Sequence, residues 1–188
     1  QELVPAEVVA SMAERMNLTT SIRAVDAIAL GTSEVYPLEI TSAYATYSNN
    51  GVWCKPIGIN RIVDRFGVTI KEYSPRREEV LSEETAYLVT DLLQSVVDNG
   101  TGGSARWKYK FTHPAGGKTG TTQNWTDAWF VGFSPKIAAG VWFGVDDPKV
   151  SLGVNQSGSR AALPVSAKFM KAAHESRGWK HEKFIKPD

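Results

Sequence analysis

The order of elements in this sequence predicts an α+β fold, an antiparallel sheet packed with helices. Three observations carry that expectation. Helical periodicity dominates the first half, with Leu88, Val89, Leu92, Leu93, Val96 and Val97 on one broad stripe. Three strand-like runs then follow in close succession, GKTGTT, DAWFVGF and IAAGVWFGV. A further helical stretch comes after the sheet.

Taken in order, Val8, Val9, Met12 and Met16 recur at helical spacing and predict a first helix from about Pro5 to Asn17. Ser21 to Leu30 reads as a short helical turn. In GTSEVYPLEITSAYATYSNNG, Ser33 is the expected N-cap and Pro37 sits early in the helix it helps to start. Ile40, Tyr44 and Tyr47 share one face there, and Asn50-Gly51 ends it. IGINRIVD and VTIKEYSP read as a hairpin around Arg65-Phe66-Gly67. Ser82 caps the strongly amphipathic helix and Asn99-Gly100 stops it.

The stretch NGTGGSARWKYKFTHPAGG is long and glycine-rich. Asn99 to Arg106 either borders a functional site or is a plain connector. Ser134-Pro135-Lys136 is a tight connection, so the last two strands pair antiparallel. A polar loop from Asp146 to Arg160 leads to a closing helix, Ala161 to about Ser176, with Leu163, Phe169 and Met170 as core candidates. The tail GWKHEKFIKPD is expected to be loosely held.

Composition bounds the function. The 188 residues suffice for one domain with a full core and scarcely for two. A formal net charge of +1 gives no basis for a nucleic-acid partner. The longest apolar run, Ile137 to Val145, is too short to span a bilayer. QELVPAEVVASM carries neither a signal peptide nor an initiator methionine, as a segment of a longer protein would begin. Cys54 is the single cysteine, and His113, His174 and His181 are scattered along the chain, the last two at expected solvated positions. No metal or cofactor is expected.

The run GGKTGTTQNWTD has poor helix propensity and little to bury, so packing does not account for it. A phosphate loop would need glycine where Thr112 stands, and a helix after Lys118. Neither condition is met. A glycine-rich edge strand with an incidental lysine is the plainer alternative. The segment Lys118-Thr119-Gly120-Thr121-Thr122 resembles the Lys-Thr-Gly element of penicillin-binding proteins and serine β-lactamases. LGTSEVYPLEITSAYATYSNNG, VVDNGTGGSAR, GGKTGTTQNWTDAWFVGFSP and GVWFGVDD are similar, in order, to blocks of the transpeptidase domain of class A penicillin-binding proteins.

The resemblance implies a fold like part of the serine β-lactamase and penicillin-binding transpeptidase fold. It makes residues 1–188 the C-terminal portion of a single transpeptidase domain, catalysing acyl transfer on peptidoglycan stem peptides and trapped by β-lactams. Lys118 then supplies a cation near the nucleophile and the ligand carboxylate. Thr119 and Thr121 offer hydroxyls to that carboxylate, and Gly120 allows close backbone approach. The Thr121 amide supplies one oxyanion-hole donor. The parent would be membrane-anchored, with this domain on the extracytoplasmic (periplasmic) face of the bacterial cytoplasmic membrane. Trp125, Asp127, Trp129 and Phe130 are expected to shape the next strand and carry no chemistry.

The family's nucleophile lies in Ser-x-x-Lys, and no serine here has lysine three residues later. Ser48-Asn49-Asn50 matches the family's Ser-x-Asn element only in letters, since it falls at an expected helix end. On this resemblance, the sequence is expected to carry one wall of a transpeptidase site without its nucleophile. The competing expectation is a noncatalytic peptide- or β-lactam-binding scaffold module that keeps the Lys-Thr-Gly strand.

Overall fold

The computed structural model describes residues 4–147 and 149–187; Gln1 to Leu3, Pro148 and Asp188, which the sequence reading assigns to the opening segment, the polar loop and the tail, lie outside the described residues. The first helix, α1, spans Ala6–Arg15, with Met16 buried just beyond it and Val8 exposed off the Val9/Met12/Met16 stripe. A 3-10 turn covers Asp26–Leu30. Helix α2 is Pro37–Ser48. Its N-cap is Tyr36 rather than Ser33, because Pro37 opens the helix and the Ser33 hydroxyl accepts the Arg23 amide at 3.0 Å instead. Asn49 closes α2, so Ser48 and Asn49 belong to a helix end as expected.

Two short strands were not foreseen. β1 (Val52–Cys54) pairs antiparallel with β4 (Arg77–Glu79), and between them β2 (Arg61–Val63) and β3 (Thr69–Glu72) form the expected hairpin. Asp64 Oδ1 accepts the amides of Phe66 and Val68, which fixes the hairpin turn.

Helix α3 spans Glu83–Asp98, and its Ser82 cap accepts the Thr85 amide at 3.3 Å. Leu88 and Leu92, expected on its core stripe, are exposed. The buried stripe runs through Ala86, Thr90 and Val97; at 100° per residue, positions 88 and 92 lie on the opposite side. A single helical turn, α4 (Ser104–Trp107), interrupts the long loop that follows.

The main sheet has strand order β5-β6-β7, formed by Gly116–Thr121, Asp127–Phe133 and Ala138–Gly144, with both pairings antiparallel. The Ser134 amide donates to the Ile137 carbonyl at 2.8 Å and closes the turn between β6 and β7. Helices cover both faces. Phe130 joins Leu163 and Met170 of α5 (Ala162–Arg177), whereas Phe133 lies on the opposite face against Tyr44 and Tyr47 of α2. The sheet is thus the α+β core expected from the sequence, with β5 as one edge. Among the described residues no helix is long and apolar enough to cross a membrane.

The C-terminal region departs from expectation. Phe169 is half exposed, while His174 is only 2% exposed. The stripe Leu163, Ala167, Met170, His174 faces the core, and Phe169 lies about 120° off it. His174 Nε2 meets the Ser134 hydroxyl at 2.9 Å, and the His113 and His174 rings stand 4.1 Å apart. The tail is anchored rather than loose: Trp179 packs on His174, His181 Nε2 lies 3.0 Å from the Thr112 carbonyl, Lys136 pairs with Glu182, and Phe184 packs on Phe133.

Candidate active site

Strand β5 pairs with β6 along one side only, so the other side of Lys118 to Thr121 is a sheet edge. The Thr122 amide donates across to the Asp127 carbonyl at 3.2 Å. Successive amides in a strand point to opposite sides, which turns the Thr121 amide towards the free edge. Thr119 has the same parity, and its carbonyl accepts the Lys118 ammonium at 2.7 Å. Lys118 and Thr121 are exposed, and Thr119 and Gly120 are half-buried. The strand therefore gathers an ammonium, two hydroxyls and an outward amide along one short edge.

Two loops hold the hydroxyls. The Thr101 and Thr119 hydroxyl oxygens lie 2.8 Å apart, which brings the Asn99 to Arg106 loop to the strand. From the other side, the Gly158 amide donates to Thr121 Oγ1 at 3.0 Å. Gly158 lies so close to the strand that a Cβ there would come 2.5 Å from the Gly120 carbonyl oxygen and clash with the Trp129 carbonyl. Gly158 thus packs its own backbone against Gly120, whereas a Cβ at Gly120 itself would meet Trp129 Cβ at 3.1 Å. The same polar loop is fastened to the turn after β5, where the Ser151 hydroxyl donates to the Asn124 carbonyl at 2.7 Å and the Leu152 amide to the Trp125 carbonyl at 2.8 Å.

Asp127, Trp129 and Phe130 shape the sheet as the sequence suggested. Phe130 is core, Asp127 Oδ1 accepts the Trp142 indole N–H at 2.8 Å, and Trp129 lies against Trp142. Among the described residues no group of histidine, cysteine and carboxylate side chains is arranged to hold a metal. Thr101 and Gly158 were not singled out from sequence. The Gly-Thr-Gly spelling around Thr101 is a usable signal for a tight turn, whereas nothing local marks Gly158.

The family described as the penicillin binding protein transpeptidase domain matches residues 13–171. The chain belongs to that family. It is 46% identical over 160 residues to penicillin-binding protein 1A of Aquifex aeolicus, an alignment covering 85% of this chain and 21% of that protein. The crystal structure of penicillin-binding protein 1A from Haemophilus influenzae superposes with a TM-score of 0.87 at 24% identity, covering 96% of this chain and 32% of that one. PonA1 from Mycobacterium tuberculosis in complex with penicillin V gives a TM-score of 0.77 at 23% identity, covering 98% and 53%. The chain spans about a fifth of the length of the curated relatives it matches. The family match and these neighbours together give the chain a penicillin-binding transpeptidase domain and its fold.

Proposed function

We propose that this chain is the C-terminal portion of a peptidoglycan D,D-transpeptidase domain and forms the Lys-Thr-Gly wall of its active site. The nucleophilic serine is assigned to polypeptide outside these 188 residues, because no serine here has a lysine partner at the family's spacing. In the reaction, that serine hydroxyl attacks the penultimate D-Ala carbonyl of a stem peptide and expels the terminal D-Ala. An ester forms, and the amine of a second stem peptide then takes the acyl group, makes the cross-link and returns the serine. A β-lactam carbonyl takes the same attack, and ring opening leaves a long-lived ester.

The observation that carries this reading is the Lys118–Thr121 segment on an open sheet edge within a family-matched fold. Lys118 meets developing negative charge and the ligand carboxylate. The Thr119 and Thr121 hydroxyls donate to that carboxylate, and the outward Thr121 amide serves the oxyanion. An extended peptide adds along β5 through main-chain hydrogen bonds. The penicillin V complex of PonA1, a protein of the same fold, supports the β-lactam part of the proposal. Membrane anchorage of the parent, with this domain at the outer face of the bacterial cytoplasmic membrane, is part of the same proposal.

The test is labelling by a reporter penicillin followed by intact mass spectrometry. The full-length polypeptide is expected to gain one covalent adduct on a serine upstream of this chain, and the 188-residue chain alone to gain none. An adduct mapped to a serine of this chain overturns the assignment. The absence of any adduct on the full-length protein favours a noncatalytic binding module, a reading to which the missing Ser-x-x-Lys also lends itself.

A further inference from the structure

Thr101 occupies a turn whose shape leaves little room for other sequences. The amides of Gly100 and Gly102 both donate to the Val96 carbonyl, at 3.1 and 2.9 Å, folding the turn back onto the last turn of α3. A Cβ at Gly100 would sit 2.9 Å from Val96 Cα, and one at Gly102 would sit 3.0 Å from the Val96 carbonyl oxygen. Side chains are crowded on both sides of Thr101, most severely at Gly100, and the chain reverses tightly enough to bring that one hydroxyl to β5. Arg106 locks the remainder of the loop. Its guanidinium pairs with Asp98 at 2.8 Å and donates to the carbonyls of Phe111 and His113 at 2.8 and 2.5 Å. Such a loop is a rigid mount rather than a connector.

We propose that Thr101 is a positioning residue that orients the Thr119 hydroxyl for the carboxylate of the peptide or β-lactam. This rests on the proposed reading of the Lys118–Thr121 strand. A threonine hydroxyl has one hydrogen and two acceptor sites. Facing an anion, the arrangement that satisfies both groups has Thr101 donating to Thr119 Oγ1 and Thr119 donating its own hydrogen to the carboxylate. The 2.8 Å contact is already made in the free chain, so the ligand meets a hydroxyl whose rotor is set in advance. On the same strand, the Gly158 amide occupies an acceptor site of Thr121 Oγ1 and leaves that hydrogen free in the same way.

The experiment uses the full-length protein and the second-order rate of acylation by a reporter penicillin bearing its free carboxylate. Thr101 is exposed, so Thr101→Val removes the hydroxyl without opening a cavity, and Thr101→Ala serves as a second removal of different shape. Both are expected to lower the rate roughly tenfold, the worth of one net hydrogen bond. Thr101→Ser restores the donor and is expected to stay within about twofold of the parent rate. The decisive arm is a double-mutant cycle: in a Thr119→Val background, Thr101→Val should have no further effect. A multiplicative loss in that background, or an unchanged rate in the single variants, overturns the positioning role. If Thr119→Val and Lys118→Ala themselves leave acylation unchanged, the strand reading has failed, and the positioning role falls with it.

Discussion

The amide of Gly158 donates to the hydroxyl oxygen of Thr121 at 3.0 Å, across 37 residues of chain. This contact ties the polar loop after β7 to the strand that carries the proposed ligand-binding groups. It also dictates what residue 158 must be, because a Cβ would run into two backbone carbonyls, those of Gly120 and Trp129.

Gly158→Ala should therefore destabilise the protein by about 1–3 kcal/mol, since backbone on both sides must move to admit one methyl group. For a chain of this size that is a fall of several degrees in thermal midpoint. Gly58→Ala is the matched control, because its Cβ would meet nothing within 4 Å; its stability should stay within about 0.5 kcal/mol of the parent. Equal midpoints for the two variants would mean that the loop yields and the contact is loose.

The sheet was legible from sequence because each of its signals is local. DAWFVGF and IAAGVWFGV are apolar runs of strand length, and Ser134-Pro135-Lys136 leaves room only for a reversal. The β1–β4 pair was not legible, since β4 reads Arg-Glu-Glu and strand formation there depends on a partner 25 residues earlier. Leu88 and Leu92 are apolar yet off the buried helical phase, and the smaller Ala86 and Thr90 face the core. His174 is the converse case, a residue type that points to solvent but stands on the buried Leu163, Ala167, Met170 stripe. In the candidate site the β5 residues declare themselves through an unusual run. Thr101 and Gly158 act through contacts spanning 18 and 37 residues, for which a single sequence carries no register.

Burial of the histidine cluster makes stability depend on pH. His113 and His174 are both held below the usual imidazole value, burial being the largest cause for each. His181 and Arg106 add to the effect at His113, which Glu175 opposes, while His113, His181 and Lys136 add to it at His174. Ser134 Oγ already faces the amides of Lys136 and Ile137, so its hydrogen is free for a neutral His174 Nε2. With folded pKa values below the ordinary 6.5, the unfolded chain takes up protons first as pH falls. The stabilisation is complete above that value and is lost as pH drops through it towards the folded values. The thermal midpoint should fall from about pH 7 to about pH 5, and His113→Phe, which keeps a flat ring against Phe111, should flatten the slope. Superimposable pH profiles for parent and variant would remove the cluster as the cause.

Lys118 separates a structural role from a chemical one. Its side chain is exposed, and its hydrogen bond to the Thr119 carbonyl lies at the surface. Lys118→Ala should cost under about 1 kcal/mol in folding. In the proposed site the same ammonium faces both the ligand carboxylate and the charge developing as the acyl-enzyme forms. Loss of one such electrostatic partner lowers rates roughly a hundredfold. Measured on the full-length protein, the second-order acylation rate by a reporter β-lactam should drop by that factor while the thermal midpoint scarcely moves. The reverse pattern, an intact rate with a lowered midpoint, would make Lys118 a residue of the fold and leave the Lys-Thr-Gly edge without its proposed chemistry.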